Sequence, residues 1–251
     1  MSTLVQEQFG RNAAGYLTSK PHAQGKSLDR LIALTKPQRD WRVLDVATGG
    51  GHVAYAFAPH VARVWATDIT DEMIALVRGE AAKKGLANIR TAYVKAEALS
   101  FDDASFDLVT CRIAPHHFDS IPAFVAEAHR VLKPGGRLKF IDIAGIDDPL
   151  YDTHIQAIEL LRDASHIRDY RADEWIAMLD AAGFDAKVSE RWRIALDFDS
   201  WVARMRTPPE RVTAIRSMWE RAPDEVRQYF DVQSDLSFKL DALMIEATRR
   251  D

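Results

Sequence analysis

A chain of 251 residues, 47% hydrophobic and 28% charged, is long enough to bury a sizeable core and has ordinary globular charge content. Its formal net charge of −4, with basic residues scattered rather than clustered, excludes the cationic footprint of a nucleic-acid or anionic-membrane binder. The one cysteine, Cys111, excludes a disulfide framework and a multi-thiol metal site, and no apolar run approaches the ~20 residues of a membrane span.

The first stretch, MSTLVQEQFGRNAAGYL, lacks the basic-then-apolar layout of a signal peptide, so a soluble cytoplasmic protein is the expectation. Residues 3–18 and 26–34 read as helices, with Pro21 and Gly25 between them. A regular alternation follows. Residues 41–46 read as a strand, 51–58 as a helix ended near Pro59, and 61–67 as a strand. The next helix has Thr70 as N-cap candidate, Asp71 and Glu72 in its first turn, Lys83 and Lys84 in its last, and Gly85 as its stop. Residues 89–94 and 106–112 read as strands, 124–132 as part of a helix, and 136–142 as a fifth strand. Residues 171–182 read as a helix stopped by Gly183, and 186–194 as a strand.

Strands alternating with helices imply a doubly wound, mostly parallel sheet covered on both faces. The runs VLDVA, VWAT, FDLVTC and LKFIDI are nearly continuous in apolar character, as strands buried on both sides require. Two stretches break the rhythm, helical segments at 149–170 and at 199–232. Residues 238–247 then read as a last strand outside the β-α-β order, free to enter the sheet antiparallel.

The stretch VLDVATGGGHVA, residues 43–54, is a glycine-rich strand-to-helix turn. In an open α/β sheet such a turn borders the ligand crevice, and its glycines let backbone approach a ligand closely. A dinucleotide frame, G-x-G-x-x-G, placed on Ala47 and Gly49 sets bulky His52 where the third glycine belongs. The frame G-x-G-x-G fits Ala47, Gly49 and Gly51 with one conservative change, and that is the S-adenosylmethionine arrangement. A tight turn that holds nothing is the other reading. Asp68, at the tip of the second strand, suits a ribose diol because a carboxylate accepts two hydrogen bonds. It equally suits helix entry.

Four segments fall in one order over residues 41–142: VLDVATGGG, Thr67-Asp68, AEALSFDDASFDLVTCR and VLKPGGRL. Together they resemble the class I S-adenosylmethionine-dependent methyltransferases, and within them the branch of the ubiquinone/menaquinone-biosynthesis C-methyltransferases. The front, QFGRNAAGYLTSKPHAQG, resembles the N-terminal helical lid of that branch. The resemblance implies a Rossmann-like seven-stranded sheet in a single domain. Residues 1–36 would form a helical lid, 37–148 the cofactor-binding core, and 149–170 with 199–232 a substrate cap. It implies S-adenosylmethionine as cofactor. Ala47, Gly49 and Gly51 would line its methionine end, and Asp45 would steady the loop or reach the amino group through water. Asp68 would hold the ribose, Ile69 would face the adenine, Ala96 and Glu97 would lie at the adenine edge, and Arg112 would offer its backbone near the amino group. Lys95 departs from the pattern, since an ammonium cannot accept a hydrogen bond from the adenine amine. Ser100 replaces the usual proline. PGG at 134–136 reads as a turn into the fifth strand rather than a binding loop.

A sulfonium methyl is already electrophilic, so catalysis needs placement more than acid–base work, and a base helps only if the acceptor must lose a proton. The candidate is RIAPHHF, residues 112–118, after the fourth strand. His117, slightly favoured by the resemblance, or His116 would act as base or orient the acceptor; a packed or capping histidine is the alternative. No metal site is expected, because no ligand set stands at metal spacing. Tyr16 and His22 belong to the front helices, and Tyr16 would touch substrate or pack the lid. The expected partner is a small-molecule methyl acceptor, with no nucleic acid and no membrane, and a monomer or homodimer. An RNA or protein methyltransferase would show a basic groove or an added module, and a non-catalytic cofactor-binding module would show a spoiled site. Neither sign is in the sequence. Arsenite-type chemistry needs several thiols, and Cys111 reads as a buried, inert one.

Overall fold

The computed structural model describes residues 2–10 and 26–251. Seven strands form one sheet: Arg42–Val46 (β1), Arg63–Asp68 (β2), Ile89–Tyr93 (β3), Phe106–Arg112 (β4), Leu132–Ile143 (β5), Phe184–Leu196 (β6) and Phe238–Arg249 (β7). Their order is β3-β2-β1-β4-β5-β7-β6. β1 to β5 pair in parallel, and β7 runs antiparallel between β5 and β6. The expectation of a mostly parallel, doubly wound sheet with a reversed last strand is met.

The helices are Ser2–Gly10 (α1), Lys26–Thr35 (α2), His52–Phe57 (α3), Asp71–Lys83 (α4), Ile121–Val131 (α5), Pro149–Arg162 (α6), Ala172–Ala181 (α7), Phe198–Arg204 (α8), Pro209–Glu220 (α9) and Asp224–Tyr229 (α10). Side chains alternate across the sheet as strand geometry demands. Leu44, Val109 and Phe140 join one core with Phe124 of α5 and Trp175 of α7. Their chain neighbours Val43, Leu108 and Ile141 join the opposite core with Leu31 of α2, Phe57 of α3 and Val77 of α4. A third core lies where Trp201 of α8, Ile215 and Trp219 of α9 and Phe230 after α10 pack on Ile155 and Ile158 of α6 and on Phe238 and Leu240 at the start of β7.

Several boundaries differ from the sequence reading. The 199–232 insert is three helices, because Pro208 and Pro223 each stand directly before a new helix with extended ψ. The 149–170 segment stops being helical at Arg162, with Asp163 in extended geometry. Thr70 does precede α4, yet its side chain makes no capping hydrogen bond. The expected front helix is described over Ser2–Gly10, and residues 11–18 lie outside the described part. Within α1, Gln6 Nε2 donates to the Ile69 carbonyl at 2.9 Å, and Gln8 Nε2 to that of Met205 at 2.8 Å.

The chain leaves β1 toward β2 on one side and returns to β4 on the other, so strand order reverses at β1. The carboxyl ends of β1 and β4 therefore open onto the crevice where ligands bind in this architecture.

Candidate active site

A cavity of about 960 Å³ lies along those strand ends. Its near end is built on backbone. The β1 turn is held by Thr48 N–H donating to the Thr67 carbonyl at 2.8 Å. Ala47 and Gly49 both have positive φ, 52° and 51°, and both line the cavity. A Cβ built on Gly49 would meet nothing within 4 Å, so that flank is open space. Gly51 differs. Its φ is 81° and its Cβ would stand 2.6 Å from the Tyr55 ring. This glycine serves the turn and makes room for Tyr55; Gly50 and His52 line the cavity in its place.

Asp68 ends β2 beside this turn. Its Oδ2 accepts from Gly49 N–H and its Oδ1 from Thr70 N–H, each at 3.0 Å. Each oxygen keeps acceptor capacity for one further donor, which is what a vicinal diol presents. Asp45 is buried below, accepting from Thr48 Oγ1 at 2.6 Å and Thr110 Oγ1 at 3.1 Å. Burial pushes its carboxyl up to about 7 against those hydrogen bonds, with Asp68 adding repulsion. Burial also raises Asp68, opposed by the Gly49 and Thr70 N–H groups. Two carboxylates thus lie close together in a cavity wall, short of positive charge. A cationic, donor-rich ligand would restore their ionised forms.

Ile69 and Ala96 line the same end. Glu97 lines it too, but its Oε1 accepts from the Asp119 and Ser120 N–H groups at 2.8 and 3.4 Å. Lys95, the departure noted above, donates to Asp119 Oδ2 at 2.7 Å. Arg112 lines the cavity where β4 ends, and its Nη2 donates to Ser27 Oγ at 3.1 Å. Tyr16 and His22 lie outside the described residues.

The far end is built on side chains. His116 and His117 form a one-turn 3₁₀ helix after β4, with ring centroids 4.2 Å apart. The structure gives them opposite characters. His116 Nδ1 is 2.6 Å from Asp142 Oδ1, and its N–H donates to Asp142 Oδ2 at 3.0 Å. Burial works against its charged form, but the Asp142 charge and hydrogen bond, with Asp169 and Glu159, outweigh it and lift the ring to about 9. His117 Nδ1 faces the Ser165 carbonyl at 3.1 Å. Burial first, and charged His116 second, push it down to about 3. The two tilted rings are thus drawn in opposite directions, His116 toward the cationic form and His117 toward the neutral one.

Several wall residues were not visible to sequence reasoning. Asp142, next to last in β5, stands behind that wall and holds His116, and the rule that parallel strand ends face the ligand would have found it. Ile113 has φ 53°, rare for a β-branched residue, beside the histidines in the lining. Glu159, Arg162 and Asp163 come from the end of α6, and Trp201, Arg204 and Met205 from α8 and its cap. Among the described residues, no group of three or more His, Cys, Asp or Glu side chains is arranged to hold a metal ion. No described helix is long and apolar enough to cross a membrane. Cys111 is buried in β4, where burial pushes its thiol well up.

Comparison with known proteins places this geometry. A family model described as a methyltransferase domain matches residues 43–136. The methyltransferase YcgJ of Bacillus subtilis is 36% identical over 247 residues, covering 96% of this chain and 98% of YcgJ. YafE of Escherichia coli is 39% identical over 197 residues, covering 78% of this chain and 95% of YafE. The crystal structure of YcgJ superposes with a TM-score of 0.87 over 90% of this chain and 98% of its own. With the glycine turn, Asp68 and the strand order described above, these likenesses show that the chain belongs to the class I S-adenosylmethionine-dependent methyltransferases.

Proposed function

We propose that the enzyme methylates a small-molecule acceptor held between the histidine loop and the α8–α10 insert. The observation that supports this is the single cavity joining Asp68 and Gly49 at one end to His116, Asp163 and Trp201 at the other. Its volume of about 960 Å³ sits at the top of the roughly 300–1,000 Å³ range of small-molecule sites, room for a nucleoside cofactor and a second small ligand. In this reading residues 1–36 act as a lid, 37–148 as the cofactor core, and 149–170 with 199–232 as the cap.

The residues present fit the cofactor. Asp68 receives the two ribose hydroxyls, Ile69 and Ala96 flank the adenine, the open side of Gly49 admits the methionine end, and Asp45 answers its ammonium. Bound S-adenosylmethionine supplies an electrophilic methyl on a sulfonium. The chain's own work is then to place the acceptor in line and manage its proton.

That second task suits His116 better than His117. Asp142 holds Nδ1 of His116, which leaves Nε2 for the acceptor. A ring lifted to about 9 carries a proton on Nε2 at neutral pH, so it donates a hydrogen bond to a phenol or enol oxygen and holds the anion by charge, the acceptor giving up its proton to solvent as it binds. His117, at about 3, is a poor proton acceptor and serves as a neutral wall. Trp201 and Phe118 keep water from the reacting atoms. The same reading keeps the enzyme in the cytoplasm, as a monomer or homodimer.

Calorimetric titration tests the cofactor assignment. S-adenosylmethionine should bind wild type and bind Asp68→Ala far more weakly, while NAD⁺ binds neither. Tight NAD⁺ binding without response to the methyl donor sinks the proposal. For the histidines, S-adenosylhomocysteine release with a panel of phenols should be lost in His116→Gln and retained in His117→Gln. The reverse pattern returns the role to His117.

A further inference from the structure

The acceptor end holds a carboxylate oxygen that the reaction above does not use. Asp163 follows the last residue of α6 and lines the cavity, although it is only 2% exposed. Its Oδ1 accepts from Ser165 N–H at 2.8 Å and Ser165 Oγ–H at 2.7 Å. Its Oδ2 accepts no hydrogen bond from any described residue. His117 Nε2 stands 4.0 Å from Oδ2, beyond hydrogen-bond reach.

One helical turn earlier, Glu159 lines the same wall, and its carboxylate is 3.6 Å from Arg162 Nη1. Arg162 is committed elsewhere as well. Its Nε donates to the Trp201 carbonyl at 3.2 Å, and its guanidinium lies 4.7 Å from the Trp201 ring centroid. His116 is held by Asp142. Arg204, which also lines the cavity, adds a further positive charge near Glu159. Leaving a buried carboxylate oxygen without a donor is costly, and such an atom facing a cavity asks for a donor from the ligand.

We propose that Asp163, with Glu159 beside it, forms a subsite for a cationic, hydrogen-bond-donating head group of the methyl acceptor, a primary or secondary ammonium. An ammonium carries several donors, enough to reach both carboxylates at once. An acceptor ending in a carboxylate would be repelled there, and an apolar one would leave Oδ2 bare. The subsite rests on the reading that this cavity holds a small methyl acceptor.

Three phenols that differ at one end test it: tyramine with an ammonium, tyrosol with a neutral hydroxyl, and 4-ethylphenol with neither. Each is titrated calorimetrically at pH 7.5 into the full chain saturated with S-adenosylhomocysteine. Tyramine should bind about tenfold tighter than tyrosol, the scale of one charge-assisted hydrogen bond, and 4-ethylphenol should bind weakest. In Asp163→Asn, which keeps the shape, the three affinities should converge. Its thermal midpoint should equal or exceed that of wild type, because the buried carboxylate charge is gone. Tyrosol or 4-ethylphenol binding wild type as tightly as tyramine, or tyramine not binding at all, overturns the subsite. An undiminished tyramine preference in Asp163→Asn overturns it too. Failure of S-adenosylhomocysteine to bind wild type overturns the methyl-transfer reading itself, and the subsite with it.

Discussion

The turn after β1 and the tail of α6 face one cavity, and they present their carboxylates differently. At the turn, both oxygens of Asp68 rest on backbone N–H groups, Gly49 and Thr70, close to it in the fold's first β-α-β unit. At the tail, Asp163 has one oxygen satisfied by Ser165 and the other bare. The first arrangement is anchored within the fold itself. The second, in the proposal above, is completed by what binds. A cofactor shared by a whole family is suited by backbone-built recognition, whereas an acceptor particular to one enzyme is chosen by side chains on an insert with a core of its own.

The largest expected effect separates the two ends by stability. Trp219 is fully buried in the insert core against Phe230 and Phe238. Trp219→Ala should cost about 3–5 kcal/mol in urea unfolding. Affinity for S-adenosylhomocysteine, titrated under native conditions, should change little. An equal loss in both would mean that the two ends are not separable.

Next comes Asp68→Ala, which removes the proposed anchor of the cofactor. Loss of two hydrogen bonds to a charged group should cost about 2–4 kcal/mol of cofactor binding by calorimetry. The Gly49 and Thr70 N–H groups lose their partner as well. Binding within twofold of wild type would break the assignment of the turn.

Above pH 7, beyond the range in which Asp45 at the other end titrates, the acceptor end should carry the pH dependence. The His116 ring rises from 6.5 to about 9 on folding, so its contribution is fully present below about 6.5 and is lost as pH climbs through about 9. Stability should therefore fall by about 1–3 kcal/mol over that interval. Asp142→Asn should flatten this slope, read from unfolding midpoints at pH 6, 7.5 and 9. An unchanged slope would show that Asp142 is not what holds the charge.

The smallest contrast compares two glycines of the same turn. Both have positive φ, so alanine at either costs about 1–2 kcal/mol of backbone strain. Gly51→Ala adds a clash with Tyr55 and should lower the thermal midpoint more. Gly49→Ala adds a methyl in open cavity space and should weaken cofactor binding more. Matching losses in both variants would erase the distinction between structural and ligand-facing glycine.

Much of the cofactor end was legible in the residues. Asp45, Ala47, Gly49, Asp68, Ile69, Ala96, Glu97 and Arg112 were each named from motif register, and all of them line the cavity. Gly51 was assigned to the lining because the frame G-x-G-x-G counts positions and cannot see Tyr55, whose ring takes the space beside it. Glu97 was assigned to the adenine edge; it lines the cavity, and its Oε1 also accepts from the backbone ahead of α5. The histidines were found as a pair but ranked by resemblance. Nothing in RIAPHHF says that Asp142, one strand over, reaches His116 and not His117.

The order of elements, the reversed last strand and the register of the glycine turn were determined by the sequence alone. Each rests on local physics: apolar runs, helix stops and the backbone freedom of glycine act between near neighbours in the chain. The opposite protonation tendencies of two adjacent histidines, the unpartnered oxygen of Asp163 and the joining of both ends into one cavity were decided only by the tertiary structure. Those properties depend on burial and on through-space distances between β4, β5, α6 and α8. The electrostatic work of removing a charge from water is set by whichever groups the fold brings near, however far apart they lie in the chain.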